Sequence, residues 1–295
     1  MAESLSSPGI DPPSPTLSAR LRELADYLGA PLMGRLTEEQ RALSLGIARR
    51  LAVDAARTLD EGIDGAKLWA DWLGAGLPTA ARLAAACFAR AEEHRWREYS
   101  AMQTSAPDGG EGNTDTARPS PAERAAAIDG VYLALQIADR RRFDDQGHPR
   151  IAIADVDADL FRALLRDIAA WRIAHADAEA GATADPETLV ERALDRRVSP
   201  AGLDRAAADY YAAFDTADAA AEAASAIAGH DWLALIALAA ASSRRTYSDM
   251  ALALVSAEPA ALPSLLAPLR LDRASLAPLE ASLAALPGRA EEGIR

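Results

Sequence analysis

Cysteine is almost absent. Cys87 is the only one in 295 residues, which excludes an internal disulfide and any cysteine-based zinc cluster. It sits in the apolar run Leu83 to Ala89, where a buried structural thiol is expected. Aromatic residues make up only 5% of the chain, and the β-branched and aromatic runs that mark strands are nearly missing, so an extensive sheet is not expected. Lysine is rarer still. Lys67 is the only one, so almost all positive charge is arginine and arginine in a motif carries little information. The longest strongly apolar run, Trp232 to Ala241, is half of the ~20 residues a bilayer span needs. The opening, MAESLSSPGIDPPSP, has neither a cationic segment nor an apolar one of the secretory kind. A cytoplasmic protein is expected.

Alanine is abundant and half of the residues are hydrophobic. That composition excludes wholesale disorder and favours closely packed helices. The expected fold class is all-α, an irregular multi-helix array of helical hairpins, with degenerate HEAT-like and bundle-like packing both open. The formal net charge is -13, and residues 122–229 alone set 12 arginines against 20 carboxylates. A surface with that balance repels phosphate backbones and anionic lipid heads, so neither nucleic acid nor membrane is an expected partner.

The chain divides into a Ser- and Pro-rich start (1–15, expected to lack fixed structure), an N-terminal helical domain (16–104), a linker (105–121) and a C-terminal helical domain (122–295). The linker, SAPDGGEGNTDTARPSP, has no bulky apolar residue. Thr37 and Gln40 have the spacing of a capping box, as do Ser120 and Glu123. Asp64, Asp185 and Ser199 are further helix starts, and a break is expected near Thr216. Arg150 to Ile153 is the one place for a brief extended strand. Val156 to Ala176 is the most regular segment, with Phe161, Leu164, Leu165, Ile168 and Trp171 on one side. The C-terminal domain is expected to be built around it, with Asp155 or Asp157 as its cap.

Three segments, Arg35 to Leu59, Tyr132 to Ala174 and Gly229 to Leu276, occur in the order and spacing of a known family. In them the chain resembles the bacterial domain-of-unknown-function 2336 family. The pattern departs after Leu59, at a short Trp-rich pair of helices and the Gly-rich linker. The resemblance implies a helical, repeat-like, cytoplasmic protein and brings no functional residues with it.

His94, His148, His175 and His230 are scattered, without the helical spacing of common metal motifs, so no metal ligand or cofactor is expected. There is no nucleophile elbow and no phosphate-binding loop, and no catalytic residue is expected. Glu92-Glu93 reads as a solvated face. His94-Arg-Trp-Arg97 mixes cationic and aromatic groups, and Arg140-Arg141-Arg142 closes a helix. Arg140, Arg141, Arg142 and His148 are the candidate interaction surface, since guanidinium forks grip carboxylates and phosphates. The expectation is a non-enzymatic interaction or regulatory scaffold whose partner is another protein, with a homodimer also compatible. The alternative is a small-ligand binder or enzyme with a pocket lined by Trp69, Trp72, Trp96 or Trp171 and closed by an arginine.

Overall fold

In a computed structural model the chain is described over residues 15–29, 36–105, 126–175, 185–195 and 202–288. Over these residues it forms thirteen α-helices and no strand. In chain order they are α1 (Pro15–Gly29), α2 (Glu38–Leu59), α3 (Gly65–Ala75), α4 (Ala80–Ser105), α5 (Ala126–Arg140), α6 (Ala158–Ala174), α7 (Pro186–Asp195), α8 (Leu203–Ala212), α9 (Thr216–Ala228), α10 (Trp232–Ser242), α11 (Tyr247–Ser256), α12 (Leu262–Leu265) and α13 (Ala277–Ala284). The expected strand near Arg150 reduces to one bridge between Phe143 and Pro149, followed by a 3-10 turn at Ile153–Asp155.

Local signals set most helix starts. Thr37 and Gln40 form the reciprocal capping box, the Gln40 amide reaching Thr37 Oγ1 at 3.2 Å and the Thr37 amide reaching Gln40 Oε1 at 2.9 Å. Asp64, Asp157 and Asp215 each accept two backbone amides at the starts of α3, α6 and α9. The break near Thr216 is the Asp215 cap. Residues 1–14, the linker from 106 onward, the Ser120 and Glu123 pair and Ser199-Pro200 lie outside the described residues.

The buried apolar side chains form two cores, and their division does not follow the expected domains. The first joins α1 to α4 with α6 and α7. Phe161, Leu164, Leu165 and Ile168 of α6 are buried as their spacing predicts, but beside Ile47, Leu51 and Phe88 of the N-terminal helices. The second core gathers α5 and α8 to α13 around α10, in which every residue from Trp232 to Ala240 is buried. The physical reason lies in the two patterns. A one-sided stripe, as in α6, marks a helix that packs on one face, whereas a helix apolar all round is buried all round and shows no period. Each buried Leu or Ile of α10 contributes ~1.5–3 kcal/mol of transfer free energy.

Helix α4 belongs to both cores. Leu83, Cys87, Phe88 and Ala91 lie in the first and Trp96 in the second. Burial pushes the Cys87 thiol up to about 12, so it stays protonated. Packing of α1 on α4, α5 on α8 and α11 on α4 joins elements far apart in sequence. In a solenoid each repeat touches only its neighbours, so these contacts favour the bundle over the repeat array. No helix among the described residues is long and apolar enough to cross a membrane.

Candidate functional site

The middle of α4, Arg90 to Arg97, carries most of the charge that the two cores enclose. Arg90, Glu92, Glu93, His94 and Arg95 are all buried, which corrects the reading of Glu92-Glu93 as a solvated face. Placed where α4 passes between the cores, these side chains meet partners from other helices instead of water. Arg142 donates both terminal nitrogens to the Glu93 carboxylate. Arg97 reaches Glu93 at 3.2 Å and clamps Asp139 through two bonds of 2.8 Å. The Arg90 guanidinium lies 3.5 Å from Glu93 and 4.9 Å above the Phe143 ring, and the Tyr247 hydroxyl donates to Glu93 at 3.3 Å. Three guanidiniums therefore surround two carboxylates. A second set ties α4 to α2 and to the segment after α13, with Arg95 donating to Glu92 at 2.7 Å, Glu39 at 2.9 Å and the Pro287 carbonyl at 3.0 Å.

Burial alone raises a carboxylate pKa and lowers that of a base. For Glu93 burial pushes upward, but Arg142, Arg90 and Arg97 outweigh it and hold the carboxyl far below its ordinary value. Asp139 is lowered in the same way, against burial, by Arg97 and Arg142. Burial brings Arg90 down to about 10, with Arg142 adding repulsion. His94 falls to about 4 through burial and the neighbouring Arg90, so at neutral pH its imidazole is uncharged.

The expected surface of Arg140, Arg141, Arg142 and His148 is not one surface. Arg142 is 2% exposed, and its guanidinium belongs to the Glu93 cluster. Helix α5 ends at Arg140, and the turn after it aims Arg142 inward toward α4. Arg140 and His148 are exposed, and Arg141 is partly so. His148 is engaged by Asp144, 3.3 Å from Nδ1, and Arg50 of α2 holds Asp144 at 2.9 Å. The segment of the candidate interaction surface is thus mainly a joint between α2, α4 and α5.

A groove of about 790 Å³ lies among the described residues where α4 faces the N-termini of α6, α8 and α11. Ala85, Ala86 and Ala89 line it from α4, and Arg142 and Tyr247 of the buried cluster border it. The three helix starts are linked by carboxylates. Asp157 caps α6, Asp155 accepts the Leu203 amide of α8 at 2.6 Å, and Asp204 accepts the Tyr247 amide of α11 at 2.7 Å. Gly202 is required at this crossing, because a Cβ there would lie 2.6 Å from Asp155 Oδ1 and 3.1 Å from the Ala154 carbonyl. Asp155, expected as an alternative cap of α6, is used on α8 instead.

The tryptophans of the expected pocket are mostly core residues. Trp69, Trp72 and Trp96 are buried in the cores, and Trp171 is partly buried with its indole N–H donated to Asp71 at 3.0 Å. A different tryptophan does line a cleft. Trp232 stacks on Trp96 with centroids 4.9 Å apart and donates to Ser100 Oγ at 2.7 Å. It borders a space of about 470 Å³ together with His94, Arg97, Ser100 and His230. Ser100 Oγ lies 3.3 Å from His230 Nδ1. Sequence reading missed this cleft because Trp232 opens a run that reads only as apolar. Among the described residues no group of three or more His, Cys, Asp or Glu side chains is placed to hold a metal ion. No family model, no curated protein and no solved structure matches this chain.

Proposed function

We propose that this protein is a non-enzymatic helical scaffold, working in the cytoplasm, that docks another protein in the groove between α4 and the starts of α6, α8 and α11. The observation that carries the reading is the groove itself. It is a groove of about 790 Å³ among the described residues, and the small side chains of Ala85, Ala86 and Ala89 on its α4 side let an incoming helix or extended segment approach closely. Its walls are held by the linked caps from Asp155 and Asp204, so the surface is ordered before a partner arrives. The acidic balance of the chain argues against nucleic acid or a membrane as that partner. The resemblance of three segments to the domain-of-unknown-function 2336 family agrees with a helical scaffold.

A photo-crosslinking residue at Ala85, in the groove, is expected to capture one partner in cells, whereas the same residue at the exposed Ala70 of α3 is not. Ala89→Arg, which puts a long charged side chain on the groove lining, should abolish that adduct. Equal labelling from both positions, or an adduct indifferent to Ala89→Arg, would remove the groove from the proposal. The second reading is a small-ligand site in the Trp232 cleft, favoured by the convergence of Trp232, Arg97, Ser100 and His230. It predicts a ligand-dependent rise in melting temperature that Trp232→Phe diminishes and Ala89→Arg leaves intact.

A further inference from the structure

Helix α5 buries one side and leaves the other apolar. Leu135 and Ala138 face the second core, while Leu133 is 56% and Ile137 47% exposed, two of the five large apolar side chains so exposed on the described surface. Gly130 and Ala134 share the exposed face, and a Cβ built on Gly130 meets nothing within 4 Å. The order Gly130, Leu133, Ala134, Ile137 has the three- and four-residue steps of a helix-packing seam, in which small and large residues alternate. The linker joined to α5 has no bulky apolar residue with which to cover it.

From this face we infer that the protein self-associates through α5, the occupant being α5 of a second copy running antiparallel about a two-fold axis. The seam is complementary to itself. With Leu133 set opposite the second copy's Ala134, Gly130 falls opposite its Ile137, so every large side chain enters the space left by a small one. Charge agrees with the same register. Asp129 and Arg140 are exposed on one flank of the seam, at its two ends. In an antiparallel pair the same flanks meet, which brings Asp129 of each copy within reach of Arg140 of the other, twice per dimer. A single-helix seam is at the small end of interface sizes, so the affinity belongs in the micromolar range.

The test is sedimentation velocity on the full-length chain from about 1 to 200 μM. The wild type should shift from 31.1 kDa toward twice that mass as concentration rises. Leu133→Asp should weaken the dimer about 30-fold or more without changing the circular dichroism spectrum. Asp129→Arg, which opposes Arg140 with a like charge, should weaken it, and adding Arg140→Asp should restore it. Ala134→Cys lies next to the axis and should form an intermolecular disulfide on mild oxidation, with Cys87 buried and out of competition. A monomer throughout the range, a dimer indifferent to Leu133→Asp, or failure of the charge exchange to restore association would each overturn the inference.

Discussion

Glu93→Gln and Arg142→Met remove opposite partners of one buried pair, and their surroundings make the two costs unequal. The native cluster sets Arg90, Arg97 and Arg142 against Glu93 and Asp139. After Arg142→Met two guanidiniums face two carboxylates, the methionine fills much of the vacated length, and Glu93 keeps Arg90, Arg97 and the Tyr247 hydroxyl. After Glu93→Gln three guanidiniums face Asp139 alone, all inside the protein. Removing one partner and stranding a buried charge costs ~3–5 kcal/mol, and Glu93→Gln belongs in that range. Arg142→Met strands no charge, so its cost should stay near ~1–3 kcal/mol, that of lost charge-assisted hydrogen bonds. The assay is urea unfolding at pH 7 followed by far-UV circular dichroism, with free energies from linear extrapolation. A second readout comes from acid. Because the folded pKa of Glu93 is depressed, its stabilisation is complete above the ordinary value of 4.5 and is lost as pH falls below it. The wild type should therefore approach Glu93→Gln in stability as the solution is acidified. Arg142→Met costing as much as Glu93→Gln, or a gap that stays constant in acid, would refute the charge count.

Three other variants test separate parts of the fold. His94 has a folded pKa near 4 against an ordinary 6.5, so the unfolded chain takes up its proton first and the wild type should lose stability as pH falls from 6.5 toward 4. His94→Gln should flatten that part of the stability profile, and an unchanged slope would contradict a buried neutral imidazole. Gly202→Ala forces a Cβ to within 2.6 Å of Asp155 and should destabilise the protein by ~1–3 kcal/mol, read as a lower urea midpoint. Arg270 is exposed and holds φ 52°, a left-handed conformation that costs a side chain energy and glycine little. Arg270→Gly should therefore leave stability unchanged or raise it by up to ~1 kcal/mol, and a clear loss would show that the side chain contributes otherwise.

The candidate sites were legible only in fragments. Arg140 and His148 are exposed as the sequence suggests, but Arg142, two residues on, turns inward because the helix ends between them. The charges at Glu92, Glu93 and Arg95 look like any solvated helical face, and nothing adjacent in sequence shows that Glu39, Arg142 and Pro287 will cover them. Trp232 reads as one apolar residue among many, and its cleft depends on Ser100 and His94 from a helix more than a hundred residues earlier. The groove depends on Asp155 and Asp204, whose roles as caps of helices other than their own have no signature in local spacing.

What the sequence determined by itself was local. Alanine content and the scarcity of strand formers dictated helices, Thr37, Asp64, Asp157 and Asp215 placed their starts, and the stripe of α6 marked its buried side. Those properties depend on residues within about one turn of each other, which is the range over which caps and helical faces act. Only the tertiary structure decided that α6 packs with the N-terminal helices, that α10 is the centre of the second core, and that the charges of α4 pair between the cores. These outcomes depend on contacts between residues tens to hundreds of positions apart. Such pairings are chosen by the shape and charge left available once every helix has formed, a global condition that no local spacing encodes.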